Sequence, residues 1–350
     1  MRSGAGHITS LDGLRGLAAL IVLVSHLSNE TGLLGGVLGA GAGQLGVMLF
    51  FALSGFLMAH VTWDTPPTVA ALRRFAVHRM SRVLPLFYVA VLAAFVAPTP
   101  FAVDTPTDLL AHLSLVRGDR VFWTVPVEIG FYMIFPVLWL LRDRAPMLLS
   151  VGALGLLALG VALRAVTQPS PVQLLGVGWF LPAFALGVLA CLAQRRGLRL
   201  PCPDLVLAAG GVLLLLAYPR ASQALFGITT SAWDRPGVLL LMPVLLLAAV
   251  QAPLGGRVLS AAPARWVGKV SYSLYLWHLF VMAGIARLTG WAETAPWAYA
   301  AAVLVLSGLA AEASYRLIEA PSRRWLNARL AEPRAATPRG SGFAAAARLG

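Results

Sequence analysis

Ten apolar runs, each close to the length of helix needed to cross a bilayer, follow one another along this chain of 350 residues. They cover roughly 11–28, 44–62, 80–98, 122–141, 147–166, 174–193, 204–219, 236–252, 267–287 and 295–317. About 20 residues of helix, rising ~1.5 Å each, span a hydrocarbon core of about 30 Å. In lipid every backbone N–H and C=O must be satisfied inside the protein, so runs of this length read as helices. The composition agrees: 59% of residues are apolar and 12% charged, with a mean hydropathy of +0.79, against about 45–50% and 25% in soluble domains. The expected architecture is an all-α, polytopic membrane protein with about ten transmembrane helices. The runs near 204–219 and 236–252 are short and border Pro-rich loops, as an irregular pair would.

A net charge of +13 raises the possibility of nucleic acid, but the positions of the basic residues argue against it. With the N-terminus in the cytoplasm, 20 of the 27 fall in inner segments and six in outer loops, with Arg15 inside the first run. This is the alternation that sets topology, so both termini are expected to be cytoplasmic in a bacterial inner membrane, with the bilayer and not nucleic acid as partner. No cleavable signal peptide is expected from the short N-terminus. Residues 1–322 read as one transmembrane domain and 323–350 as a basic cytoplasmic tail, interfacial at first (SRRWLNARL) and then disordered. Cys191 and Cys202 lie near one inner loop, and no metal-ligand spacing is present, so neither a disulfide nor a metal is expected.

Polar residues inside the runs carry the functional information, since an intramembrane ionisable group is costly and faces the bundle interior. In the first run, LDGLRGLAALIVLVSHL, Arg15 and His26 are eleven residues apart. At about 100° per residue they share a face, roughly 16 Å apart. Glu128, near the outer end of the fourth run, is expected at a depth comparable with His26, where a carboxylate could orient an imidazole. His278 stands in SYSLYLWHLF with Tyr272, Tyr275 and Trp277, divided between lining a site and an aromatic belt. Arg79 and Arg82 project from one side of a helix at the cytoplasmic face, and guanidinium forks suit phosphate. Gly46, Ser54 and Gly55 are expected to allow close helix contact. Glu312 is expected to pair with Arg316 four residues on, as a structural ion pair. His7, His60, His78 and His112 receive no role. No GxSxG elbow, Walker A loop, HExxH or CxxC pair is present.

Six segments together resemble the membrane-bound acyltransferase-3 family of bacterial sugar O-acyltransferases. They are LDGLRGLAALIVLVSH, FFALSGF at 50–56, RMSRVLP at 79–85, WTVPVEIGFY at 123–132, SYSLYLWH at 271–278 and YRLIEAP at 315–321. The resemblance implies a ten-helix enzyme that takes an acyl group, commonly acetyl, from cytoplasmic acyl-CoA and passes it to a hydroxyl of a carbohydrate or lipid-linked glycan. It places the family's Arg–His pair on Arg15 and His26, its arginine pair on Arg79 and Arg82, and its intramembrane acid on Glu128. Trp123, Tyr132, Tyr275 and His278 are implied to line the substrate. The family's frequent second acid is Ile129 here, and the extracytoplasmic esterase-like domain of some members is not expected.

The mechanism so implied has Arg79 and Arg82 holding the acyl-CoA phosphates, the pantetheine arm passing Arg15, and His26, oriented by Glu128, acting as general base. Acyl-CoA is then a donor substrate and no permanently bound cofactor is expected. Two alternatives stay open: a transporter or export partner of a glycan pathway using the polar track for permeation, and a tailoring acyltransferase acting on a glycosylated secondary metabolite.

Overall fold

The computed structural model describes residues 7–97, 101–166 and 176–330. Among the described residues the fold is all-α, with no strand. Among those residues seven helices are long and apolar enough to cross a membrane, or up to nine if two sharply bent pairs each count as one crossing.

Helix α1 (Thr9–Thr31), α2 (Gly43–Thr62) and α3 (Val69–Val96) come first. A short helix, α4 (Pro106–Leu113), and a 3₁₀ turn (Arg120–Trp123) lead into α5 (Thr124–Arg144), α6 (Pro146–Val166) and α7 (Val177–Arg195). The two expected short runs are the bent pairs. α8 (Pro203–Leu216) turns by 84° into α9 (Pro219–Phe226), and α10 (Pro236–Gln251) by 94° into α11 (Pro253–Leu259). Pro219 and Pro253 each open the second helix of a pair, because proline suits a first turn and not a helix interior. α12 (Ala262–Thr289) follows, then α13 (Trp291–Thr294), α14 (Pro296–Ser314), a π turn (Tyr315–Glu319) and α15 (Ala320–Leu330). The ninth expected run is α12. It is 28 residues long, but Lys269, Arg287, His278 and its tyrosines keep it out of the apolar set, so apolar length alone gives seven to nine candidate crossings among the described residues, in keeping with the expected all-α polytopic fold.

The third expected run begins too late. α3 starts at Val69, where Thr68 caps it by accepting from the Ala71 N–H at 3.2 Å. It continues through Pro85, so Arg79 and Arg82 sit inside a long helix and not at its entrance.

Burial separates the centre from the rim. Over their most apolar stretches α2 is 78% and α7 72% buried, while α6 is only 17% buried. Exposed Leu154, Leu159 and Val161 give α6 the outer face of a helix bathed in lipid. α1 packs most extensively on α12, and α2 on α7. The second contact depends on glycine: a methyl group at Gly55 would overlap the Phe184 carbonyl oxygen, and one at Gly187 the Ala52 carbonyl oxygen. The expected role of Gly46 and Gly55 is borne out, with Gly46 against the backbone of Ala18.

At the end of the bundle where α5 begins, a polar knot delivers its first turn. Thr105 and Asp108 form a reciprocal cap at 2.6–3.1 Å. Arg117 spans Asp108 (2.7 Å) and Asp119 (3.1 Å). Buried His112 donates from Nδ1 to the Asp108 carbonyl and accepts at Nε2 from the Asp119 N–H. At the opposite end, α15 is not a detached tail. The Ser81 hydroxyl of α3 donates to Asn327 Oδ1 at 3.0 Å, and α15 packs along α3. The boundary expected at 322/323 therefore cuts a helix; residues 331–350 lie outside the described residues.

Candidate active site

Three cavities follow one another through the bundle. The first, about 470 Å³, opens at the arginine-rich end and is lined by Asp12, Arg15, Arg79, Arg82, Glu319 and Arg323. Through Arg15, Leu57, Arg79 and Arg82 it continues into a narrow inner chamber of about 70 Å³, walled further by Ser54, Glu128, Tyr272 and Tyr275. The third, about 240 Å³, lies towards the other end of α1 and is lined by His26, Asn29, Gln44, Arg120, Trp123 and Tyr275. Val47 and Tyr275 belong to the walls of both the second and the third. The inner chamber and the His26 cavity therefore abut across two side chains.

Arg15 and His26 do share a stripe of α1, as the spacing requires, and each faces a cavity. Arg15 pairs with Asp12, one turn earlier, at 3.6 Å. Arg79 lies over the rings of Phe75 (5.6 Å) and Tyr132 (5.9 Å). Neither Arg79 nor Arg82 is in an ion pair among the described residues. Two guanidinia one turn apart in a cavity wall, with Arg15 and Arg323 alongside, make a strong site for a polyanion.

The expected His26–Glu128 pair is not formed. Glu128 Oε1 accepts from the Ser54 hydroxyl at 3.0 Å and from the Tyr132 hydroxyl at 2.5 Å, and the residue lines the chamber that holds Arg15, Arg79 and Arg82. Rise per residue fixes separations along one helix but not the offset between two helices, so equal counts from two helix ends did not mean equal depth. Ser54, expected as a small packing residue, is a hydrogen-bond donor to this carboxylate.

The partner of His26 is His278. Nδ1 of His26 and Nε2 of His278 are 2.8 Å apart. His278 is fully buried, and its Nδ1 lies 3.1 Å from the Leu274 carbonyl oxygen. It stands behind His26 and lines none of the three cavities. Tyr132 is likewise a support, its hydroxyl spent on Glu128, and not a lining residue. Trp123 does border the His26 cavity, packed against Phe51 and Phe180. Tyr275 borders both chambers. Of its neighbours in SYSLYLWHLF, Tyr272 donates to the Val83 carbonyl at 2.7 Å and Trp277 to Ser314 at 2.8 Å, tying α12 to α3 and α14.

Several lining residues escaped the sequence reading. Glu319 is buried, accepts from Ser273 at 2.9 Å and closes the floor of the large cavity; a carboxylate inside the apolar LIEAP was its signal. Arg323 was assigned to the tail. Arg120, at φ +48°, reaches the His26 cavity from the 3₁₀ turn, and nothing local in the sequence marks it. Glu312 behaves as expected, with Arg316 at 2.5 Å and Lys269 at 3.6 Å. Among the described residues no group of three metal-ligating side chains converges. Both cysteines are free.

The family model for an acyltransferase domain matches residues 8–311, from the start of α1 into α14. Similar proteins include the peptidoglycan O-acetyltransferase OatA of Listeria monocytogenes, 25% identical over 91% of this chain and 56% of the relative. The O-acetyltransferase OatA of Staphylococcus aureus is 23% identical over 91% of this chain and 57% of its own length. A putative acetyltransferase, ORF330, of Acidianus two-tailed virus is 29% identical over 77% of this chain and 81% of its own length. The chain thus spans little more than half the length of the OatA proteins it matches. No solved structure matches. With the family's pattern running through nearly every membrane helix of the bundle, this chain belongs to the acyltransferase-3 family.

Proposed function

We propose that this protein is a bacterial inner-membrane O-acyltransferase that moves an acyl group, in the first instance acetyl, from acyl-CoA to a hydroxyl of a carbohydrate or glycan. The observation that carries the reading is the abutment of two chambers at Tyr275, one walled by Arg15, Arg79 and Arg82 and the other by His26. The similarity to a peptidoglycan O-acetyltransferase supports the acceptor class.

In this reading the arginine-rich mouth faces the cytoplasm, where acyl-CoA is made and where the basic residues of the loops belong. Arg79, Arg82 and Arg323 hold the nucleotide phosphates, and the pantetheine arm lies along the inner chamber past Arg15. The thioester meets the wall at Val47 and Tyr275. On the far side the acceptor sugar lies against Trp123, with its hydroxyl at His26. The imidazole takes the hydroxyl proton as the oxygen attacks the thioester carbonyl. The C–S bond then breaks, and the departing thiolate takes that proton from the imidazolium. Donors around the His26 cavity, Arg120 among them, stabilise the oxyanion. No side chain is needed to carry the acyl group.

The direct test uses purified protein in lipid nanodiscs with [¹⁴C]acetyl-CoA and a panel of glycans. We expect label on an acceptor with the wild type and none with His26→Ala, while the variant still binds acetyl-CoA. Full turnover by His26→Ala would overturn the mechanism. Transmembrane flux without covalent label on any acceptor would favour transport.

A further inference from the structure

We infer that His278 is a positioning residue, a buried imidazole that holds His26 as its Nδ1–H tautomer and so leaves the Nε2 lone pair to the outer cavity. The inference rests on His26 being the base, as proposed above.

The polarity of the hydrogen bonds leaves one arrangement. A backbone carbonyl only accepts, so the nitrogen of His278 that faces the Leu274 oxygen at 3.1 Å, Nδ1, carries the proton. A neutral imidazole has one N–H, so Nε2 of His278 holds a lone pair. That lone pair faces Nδ1 of His26 at 2.8 Å, which must therefore be the donor. The chain runs one way, from His26 Nδ1–H to His278 Nε2 and from His278 Nδ1–H to the Leu274 carbonyl. Its outer end is the Nε2 of His26, on the ring that lines the cavity of about 240 Å³. The two rings are inclined by only 11°, with centroids 5.1 Å apart, so the N–H lies close to the plane of the accepting lone pair.

Burial and covalent attachment keep this geometry fixed. His278 is 0% exposed, and α12, which carries it, makes the most extensive packing contact of α1, which carries His26. No carboxylate forms an ion pair with either ring among the described residues. The orienting group is thus a neutral acceptor where a Ser-His-Asp arrangement has a carboxylate. An acceptor of either kind sets the tautomer, but a neutral one leaves the imidazolium without a counter-charge. The positive charge formed when His26 takes the substrate proton is shared through the N–H···N bond with the second ring and must be discharged quickly to the thiolate.

Three substitutions test this. His278→Gln places a carbonyl oxygen near the position of Nε2 and keeps an acceptor for His26. His278→Leu keeps the bulk and removes the acceptor. If the leucine variant does not accumulate as folded protein, His278→Asn, polar but too short to reach, replaces it. We expect the acceptor-less variant to lose about 10²- to 10⁴-fold in kcat, the scale on which a wrong tautomer disables a catalytic histidine. The KM for acetyl-CoA should stay within about twofold, and His278→Gln should recover most of kcat. Wild-type kcat in the acceptor-less variant overturns the inference, as does a His278→Gln variant equally impaired while binding acetyl-CoA normally. The two readings fail separately: activity in His26→Ala removes the base, whereas an inert His26→Ala beside a fully active His278→Leu removes only the positioning role.

Discussion

Arg79 and Arg82 illustrate how a single residue type is given a purpose by its surroundings. Arginines near the end of a membrane helix ordinarily anchor topology, but these two face a shared cavity and have no ion-pair partner among the described residues, and Arg15 adds a third guanidinium to the same wall. The carboxylates of Asp12, Glu128 and Glu319 in the same walls offset part of this positive charge, and a bound polyanion would offset the rest. Arg82→Ala should therefore raise the KM for acyl-CoA by about tenfold or more, with kcat changed much less, as measured by steady-state kinetics in nanodiscs. An unchanged KM would assign Arg82 to topology alone. Glu128 carries the opposite lesson. Its burial inside a membrane run marked it as important, and it does line the polar chamber, but its partners are Ser54 and Tyr132 and not His26.

At the scale of elements, α15 changes the outline of the site. Arg323 lines both the main cavity and a neighbouring one bordered by Arg74 and His78, and Asn327 ties the helix to α3. Arg323→Ala should weaken acyl-CoA binding several-fold, while Arg324→Ala, an exposed neighbour that donates to the Ala320 carbonyl, should not; equilibrium binding of acetyl-CoA separates them. The composition of SRRWLNARL suggested an interfacial helix, and only its docking on α3 turns one of its arginines inward. The polar knot at α4 makes a second prediction. The Asp108 carboxyl is held below its ordinary value, first by the Thr105 hydroxyl and then by backbone bonding at Thr105 and by Arg117. A group whose folded value is depressed contributes stability above its unfolded value, and that contribution disappears as pH falls through the folded one. The α4 cap should hold at neutral pH and loosen below about pH 4, read as lower protection of the Thr105 and Asp108 amides against exchange relative to the free-peptide rate at the same pH. Unchanged protection at pH 3 would count against it.

For the whole molecule, packing at glycine decides how close the central helices lie. Gly187→Ala inserts a methyl group against the Ala52 carbonyl where α2 and α7 touch, and overpacking of this kind costs about 1–3 kcal/mol. Gly284→Ala, in open space on α12, should be neutral or slightly stabilising, since alanine favours helix. Thermal unfolding in detergent should show a lower Tm for the first variant only; equal Tm values would contradict the close contact. The helical class, the approximate place of nearly every crossing, the shared stripe of Arg15 and His26 and the Glu312–Arg316 pair were all legible in the sequence, because helix periodicity and hydrocarbon thickness are local constraints. The tertiary structure alone decided that His26 meets His278, 252 residues away, that Glu128 sits among arginines, and that Arg323 joins the cavity. Those meetings depend on the vertical offset and rotation of one helix against another, which side-chain packing between distant segments sets and no run of neighbouring residues encodes.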